Sequence, residues 1–416
     1  MNASLIKSIK AWKVFDSRGN PTIEIGIETA EGYGRAAAPS GASRGKWEVE
    51  QYPPGGVDQA VKIVESSLAD HIVGSDANRQ EEIDTLLHEV DGTSDFSKIG
   101  GNTAYATSIA TALAASDTKA VPLFEHLSHA TKTELPLPLG NVLGGGRHAR
   151  SGKTDIQEFL ALPMRARSFS EAAQANVKVH TEVAKLLEVE GRPATGKGDE
   201  GAWIADLTTE DAFEIVSKAC ENVSSSMGTT VSVGADMAAS TLWNEKDKVY
   251  EYVKDGKRLS EEEQVDHVRG LIEKYKLVYV EDPFHEESFE SFAELTRLVR
   301  GTFICGDDLF VTNLARLEIG RKMNAANAII VKPNQVGTIT DALKTTRMAV
   351  DAGYVTVASH RSGDTSGSEL AHIAIAFGCP IIKTGVVGGE RVAKINELAR
   401  IEKTFREKIR LTKINR

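Results

Sequence analysis

The segment LVYVEDPFHEESFESFAELTRLVRGTFICGDDLFVTNLARLEIGRKMNAANAIIVKPNQVG, Leu277 to Gly337, decides the fold. Three short apolar runs in it stop at a charged residue, and after each the chain turns and begins a helical pattern. LVYV ends at Glu281, Asp282 and Pro283; TFIC ends at Gly306, Asp307 and Asp308; AIIV ends at Lys332. Glu281 and Asp307 are 26 residues apart and Asp307 and Lys332 are 25 apart, the length of one strand, one helix and two loops. Repeated strand and helix units make a parallel sheet. If the sheet closes into a barrel, every strand points its C-terminal end at the same face, so two carboxylates and a lysine converge on one mouth.

The rhythm continues on both sides. VTVASHRSG ends a strand at His360, Arg361 and Ser362, and PIIKTG ends one at Lys383, at spacings of 28 and then 23 residues. Upstream, TVSVGAD ends a strand at Asp236, and a helix is expected to begin in MAAS. VYEYVKDGKRLS, Val249 to Ser260, reads as a hairpin insertion, with Ser260 and Glu263 forming a capping box for the next helix. One charged residue after a strand is ordinarily a loop residue or a helix cap. Six in phase call for a shared purpose.

The chain has 416 residues, too long for one ordinary domain but sufficient for a barrel of about 250 residues and a smaller domain. Hydrophobic residues make up 41%, charged residues 26%, and the net charge is −10. That describes a globular protein with ample core and argues against an extended nucleic-acid footprint. Cys220, Cys305 and Cys379 are odd in number and lie in apolar surroundings, which fits core thiols in a reducing cytosol better than disulfides. The N-terminus lacks a signal-peptide core and no apolar run has the length of a membrane span. A cytoplasmic protein is the expectation.

Residues 5 to 35 alternate as strands, with Ile23, Ile25 and Ile27 on one face. Residues 57 to 116 are helical in pattern, with Ile83, Leu86, Leu87 and Val90 at helical spacing. Residues 1 to 134 therefore form a smaller N-terminal α+β domain and residues 135 to 416 an α/β barrel, with LPLPLGN, Leu135 to Asn141, at the junction. PSGASRGKW, Pro39 to Trp47, superficially suggests a phosphate-binding P-loop. Its glycines are one residue too close and Trp47 stands where Ser or Thr is needed, which leaves a surface loop or a lid with hydroxyl and basic groups.

Two weaker signals precede the regular part. NVLGGGRHARSG brings His148, and DIQEFLALP brings Glu158; taken singly, each is ordinarily a hydrogen-bonded structural residue. In GKGDEGAW, Glu200 lies between glycines and has little reason to be there for packing. As a general acid it needs a raised pKa, which Trp203 and Ile204 could help to provide.

Asp236, Glu281 and Asp307 offer three hard oxygen ligands, suited to Mg²⁺, and with no His or Cys among them zinc is improbable. Lys332 and Lys383 follow at the ends of apolar strands, next to the metal, and a lysine held near a metal and another cation has its pKa pushed down toward use as a base. Arg361 and Ser362 form a donor fork for phosphate or carboxylate. Metal, lysine base, anion clamp and an opposing glutamate suit removal of a proton next to a carboxylate, followed by loss of a hydroxyl as water.

DSRGNPT, PSGAS, LPLPLGNV, GG-x-HA, QEF, GDEG, D-x-AAS, EDPFHEE, GDDLFVTN, K-x-NQ-x-GT, SHRSG and IKTG occur in one order along almost the whole chain. In these motifs and their spacing the sequence resembles enolase, phosphopyruvate hydratase. The resemblance implies an enolase-type, TIM-barrel-like C-terminal domain and reversible dehydration of 2-phosphoglycerate. It implies Asp236, Glu281 and Asp307 as ligands of one Mg²⁺, and Ser43 as a lid ligand of a second, substrate-dependent Mg²⁺. Lys332 would be the base, and Glu200, with Glu158, the acid. Arg361 and Ser362 would hold the phosphate, Lys383 the carboxylate region, and His148 and His360 would line the pocket. Glu24 and Arg400 match an intersubunit ion pair, implying a homodimer or a higher homo-oligomer.

The chain departs from the family at Gly144 in place of Asn, at Ala202 and Trp203 after GDEG, at Arg44 in the lid, and at Asp364 to Gly367. Val386 to Gly389 is one residue shorter and lacks the usual Ala-Arg-Ser. No catalytic group is lost. Two other readings stand beside the main one: a related dehydratase acting on another acid, which retention of Arg361 and Ser362 argues against, and a non-catalytic scaffold, which would need no coupling between Mg²⁺ and substrate binding.

Overall fold

The computed structural model describes residues 2–41, 45–128, 133–149 and 154–414. Strands β1 (Ser8–Phe15), β2 (Pro21–Glu28) and β3 (Tyr33–Ala37) form an antiparallel meander. The three isoleucines of β2 are fully buried, and the sheet packs on the helix Gly101–Thr118. That helix is buried nearly all round, which its run of Ala, Thr and Ser permits. The approach is close: a Cβ on Gly34 would lie 2.1 Å from the Ala110 carbonyl oxygen.

The barrel is built from β4 (Leu137–Gly144), β5 (Glu158–Pro163), β6 (Val231–Asp236), β7 (Tyr279–Glu281), β8 (Phe303–Gly306), β9 (Ala328–Val331), β10 (Val355–Ser359) and β11 (Ile381–Lys383). These strands are neighbours in chain order, and β11 pairs with β4 through Ile381 and Leu137 to close the ring. One strand corrects the expectation that all point the same way: β5 is antiparallel to both β4 and β6. Among the described residues of the β4–β5 connection there is only a short 3₁₀ turn, Gly146–His148, in place of the α-helix that usually joins parallel neighbours. The reversal places Glu158, the first residue of β5, opposite Asp236, the last residue of β6. The start of one strand thus shares a mouth with the ends of the others.

Leu139, Leu160, Leu162, Cys305, Ile330, Val357 and Ile381 belong to one buried cluster, and all three cysteines are buried and free. The N-terminal helices share a core with the barrel, Ile83 and Leu87 joining one cluster with Ile339, Leu343 and Leu370. LPLPLGN is therefore no linker: its first residue pairs with Leu411 and the rest enters β4. The hairpin insertion is present as Val249–Tyr252 and Lys257–Leu259, with a third short strand, Trp243–Asn244. Its capping box, Ser260 with Glu263, opens the helix Glu261–Tyr275. The helix expected to start in MAAS is a single 3₁₀ turn, Ala239–Thr241, because the hairpin intervenes before the barrel helix. Among the described residues no helix is long and apolar enough to cross a membrane.

Candidate active site

The polar strand ends meet as their phase requires. Asp236, Asp307, Lys332, His360, Arg361, Ser362 and Lys383 line one cleft together with His148, Glu158 and Glu200. Glu281 is fully buried beside them. Ser43 lies outside the described residues. In a ring of eight strands β5 and β9 are four places apart in either direction, so Glu158 and Lys332 face each other across the mouth.

Lysines and carboxylates alternate on the metal-ligand side. Lys383 Nζ lies 2.8 Å from both Asp236 Oδ2 and Glu281 Oε1 and 3.3 Å from Glu158 Oε2. Burial opposes its charge, but these acids hold its pKa well above the usual lysine value. Lys332 is paired with Asp307, whose other oxygen accepts from Gln335 Nε2 at 3.1 Å. Burial, Arg361 and Lys383 lower the Lys332 pKa, but among the protein's own groups the carboxylates around it, Asp307 first and then Glu281, leave the net shift upward. Burial, then the charge of Asp236, pushes Glu281 up to about 8, and the Tyr279 hydroxyl donates to it at 2.6 Å.

Two sets of three possible ligands lie within 4.8 Å of one another: Asp282, Asp307 and Asp308, and His148, Glu158 and Glu200. The predicted trio is not one of these sets. Its members are held by the Lys383 and Lys332 ammonium groups. Its oxygen-only donors and the elevated Glu281 pKa nevertheless fit a hard divalent cation. Asp282, which the sequence left unassigned, accepts from the backbone N–H of Asp307 at 2.9 Å and of Asp308 at 2.7 Å, fixing the turn after β8.

The guanidinium of Arg361 is already clamped. Glu48 takes Nη1 and Nη2 at 3.1 Å each, and Asn334 Oδ1 takes Nη1 at 3.1 Å. Glu48 and Arg361 are 5% and 4% exposed, so the pair is shielded from water. The Ser362 hydroxyl is buried and, among the described residues, without a partner. A buried hydroxyl in that state, beside a guanidinium, suits an anion. Sequence reasoning missed Glu48, since it sits in a loop 313 residues from its partner.

The opposing half holds two carboxylates with opposite tendencies. Glu158 is pushed well above the usual range by burial and then by Glu200. Glu200 is held well below it: burial raises its pKa, but His360 and His148 outweigh burial. His360 Nε2 is 3.3 Å from Glu200 Oε2, Asn141 Nδ2 donates to the same oxygen at 3.2 Å, and His148 Nε2 is 3.8 Å from Oε1. Burial in turn holds His360 itself down to about 4, so the full lowering of Glu200 belongs to pH values at which this imidazole is charged. Burial and like charge thus favour the neutral acid at Glu158, while the groups around Glu200 favour its carboxylate.

Trp203 does not supply an apolar wall for Glu200. Its ring stacks on His180 at 4.9 Å and its Nε1 donates to the His180 carbonyl at 2.8 Å. His180 Nε2 in turn lies 2.9 Å from the Gly201 carbonyl, anchoring the turn that carries Glu200. Gly201 has φ +81, and a Cβ there would meet the Val387 carbonyl oxygen at 2.3 Å, so the turn demands glycine. Two of the altered residues face each other: a Cβ on Gly144 would sit 3.5 Å from that of Ala202. Asp364 is bound by Arg391 Nη1 at 3.3 Å and Lys394 Nζ at 3.0 Å.

Comparison with known proteins agrees with this geometry. The family model described as "Enolase, N-terminal domain" matches residues 6–127, and that described as "Enolase, C-terminal TIM barrel domain" matches residues 132–415. The chain is 49% identical over 401 residues to the enolase of Methanosphaera stadtmanae, covering 96% of this chain and 97% of that one. It is 47% identical to the enolase of Methanothermobacter thermautotrophicus, covering 96% of each, and 48% identical to that of Methanocorpusculum labreanum, covering 96% and 99%. With both domains matched and the barrel, cleft and opposed acid and lysine groups in place, this chain belongs to the enolase family.

Proposed function

We propose that the protein is the lyase of glycolysis and gluconeogenesis that reversibly dehydrates 2-phosphoglycerate to phosphoenolpyruvate. The observation that carries this is the opposition of Lys332 to the Glu158–Glu200 pair across one barrel mouth. A base on one side of a bound hydroxy acid and a proton source on the other perform an elimination.

Lys332 takes the proton from carbon 2. It is poised for this once Asp307 engages elsewhere, because its other cationic neighbours, Arg361 and Lys383, lower its pKa. The carbon-3 hydroxyl leaves with a proton from the Glu158–Glu200 pair, in which burial and like charge favour the acid form of Glu158. Arg361 and Ser362 hold the phosphate, Lys383 sets the carboxylate region, and His148 and His360 close the wall. Asp236, Glu281 and Asp307 would hold one Mg²⁺ and Ser43 would join a second, substrate-dependent one. Mg²⁺ supplies positive charge that offsets the charge developing on the substrate carboxylate.

The protein is further read as cytoplasmic, with residues 1–134 and 135–416 as its two units, and as a homodimer in which Glu24 and Arg400 of different copies meet. Within one chain these residues pair instead with Arg35 and Glu397. Trp12, Phe15 and Tyr33 of the N-terminal sheet are exposed, which supports association there.

Purified protein given Mg²⁺ and 2-phosphoglycerate should gain the ultraviolet absorbance of the conjugated product, lose this activity with chelator and regain it with added Mg²⁺. Lys332→Ala should lower kcat by about 10²–10⁴-fold. No absorbance change with Mg²⁺ present, or full activity in Lys332→Ala, overturns the reading.

A further inference from the structure

Arg391 lies at the start of the helix Gly389–Thr404 and is fully buried. Its Nη1 is 2.8 Å from His360 Nδ1 and 2.6 Å from the Arg361 carbonyl, and its Nη2 donates to the carbonyls of Ser362 at 2.7 Å and Asp199 at 3.1 Å. One guanidinium thus ties the turn after β10 to the turn that carries Glu200. The contact to His360 carries chemical information. Arginine has donors only, so the imidazole nitrogen facing it must accept. A second donor, the Gly385 backbone N–H, points at the same nitrogen from 3.3 Å. A proton on Nδ1 would oppose both. The other ring nitrogen, Nε2, is buried, lies 3.3 Å from Glu200 Oε2 and makes no aligned hydrogen bond among the described residues; a proton placed there has the Glu200 carboxylate as the acceptor within reach.

We infer that Arg391 is a positioning residue that fixes His360 as the Nε2–H tautomer, so that His360 donates to Glu200 and keeps Glu200 the accepting member of the carboxylate pair. The inference deepens the proposed dehydration and rests on that reading for its kinetic consequence. In the dehydration direction the proton leaving with the hydroxyl then comes from the carboxylate pair and not from His360, whose ring returns unchanged each cycle. His148, by contrast, has both nitrogens turned toward carboxylates, Nδ1 at 3.6 Å from Glu158 and Nε2 at 3.8 Å from Glu200, and no donor fixes its tautomer among the described residues. The two histidines are therefore not interchangeable.

The test uses the full-length protein labelled with ¹⁵N-histidine, the His360 signals being identified by their loss in His360→Gln. Long-range ¹H–¹⁵N correlation near neutral pH should show Nε2 protonated and Nδ1 bare. Protonation at Nδ1, or at both nitrogens, overturns the inference. Arg391→Met should convert the signal to a mixture of tautomers and lower kcat by about tenfold or more with KM within about twofold, while Arg391→Lys, which keeps a donor, should retain the wild-type signature. An unchanged tautomer in folded Arg391→Met overturns the role of Arg391. If Arg391→Met does not fold, the wild-type spectrum still decides the tautomer, and His360 variants decide its use. His360→Gln, which can place its amide N–H toward Glu200, should exceed His360→Asn in kcat; the reverse order counts against the inference. A protein inactive on 2-phosphoglycerate would remove the proposed function but not the tautomer result, so the two failures are distinguishable.

Discussion

Glu48 and Arg361 are brought together from the two ends of the chain and buried as a two-point ion pair. Removing one partner of such a pair leaves the other charge without compensation, which costs more than the pair itself contributes. Glu48→Ala should lower the unfolding free energy by about 3–5 kcal/mol, read by urea denaturation. Inorganic phosphate should then raise the melting temperature of the variant more than that of the wild type, because it offers Arg361 a replacement anion. Equal phosphate effects on the two proteins would show that Arg361 is not the anion clamp. Such residues set the limit of reading a sequence. Asp236, Asp307 and Lys332 could be placed because the strand period fixes where each falls. Glu48 and Arg391 obey no period, since one lies in a loop and the other on a helix, and each acts through a single tertiary contact.

At the level of elements, the strand ends were legible because a parallel strand and helix repeat has a fixed length. The one reversed strand was not, since Glu158 to Pro163 are all buried and a burial pattern reads the same in either direction. Direction follows from the pairing of β5 with β4 and β6, and with it Glu158 moves from an isolated acid to the mouth of the barrel. The pKa order of Glu158 and Glu200 was out of reach for the same reason, because it depends on which histidines and carboxylates the folded turns bring near. Caps were legible, being local. The Ser260–Glu263 box satisfies the first turn of Glu261–Tyr275 from both sides, and that helix leads from the inserted hairpin into β7. Ser260→Ala should cost about 1 kcal/mol of stability and leave kcat unchanged, since Ser260 does not line the cleft. A matching loss of kcat would mean that the hairpin is coupled to the site.

Across the whole molecule, the N-terminal unit is held to the barrel by a shared core and by a polar contact at its edge. His88, on the helix Gln80–Asp91, lies 2.7 Å from Asp341, on the helix Ile339–Asp351. His88 also faces the charges of Asp84 and Lys344 and packs, tilted by 37°, against the Phe96 ring. The hydrogen bond to Asp341 raises the His88 pKa above 6.5. Asp341 is lowered below 3.8: burial opposes this, but His88 and Thr338 outweigh it. The signs set the window. A raised histidine contributes stability that is complete below about pH 6.5 and is lost as pH rises through its folded pKa, while a lowered aspartate contributes above about pH 3.8 and loses its share as pH falls through its own. The contact is therefore complete between these limits, and alkali releases it before it touches the buried core. His88 is partly exposed, so solvent screens the pair and the effect is modest. His88→Gln keeps a hydrogen-bonding side chain of similar reach but cannot titrate. The wild type should melt above His88→Gln at about pH 6, and the gap should narrow by about pH 9, measured by calorimetry at constant ionic strength. A gap of the same size at both pH values would show that the junction between the N-terminal unit and the barrel is held by packing alone.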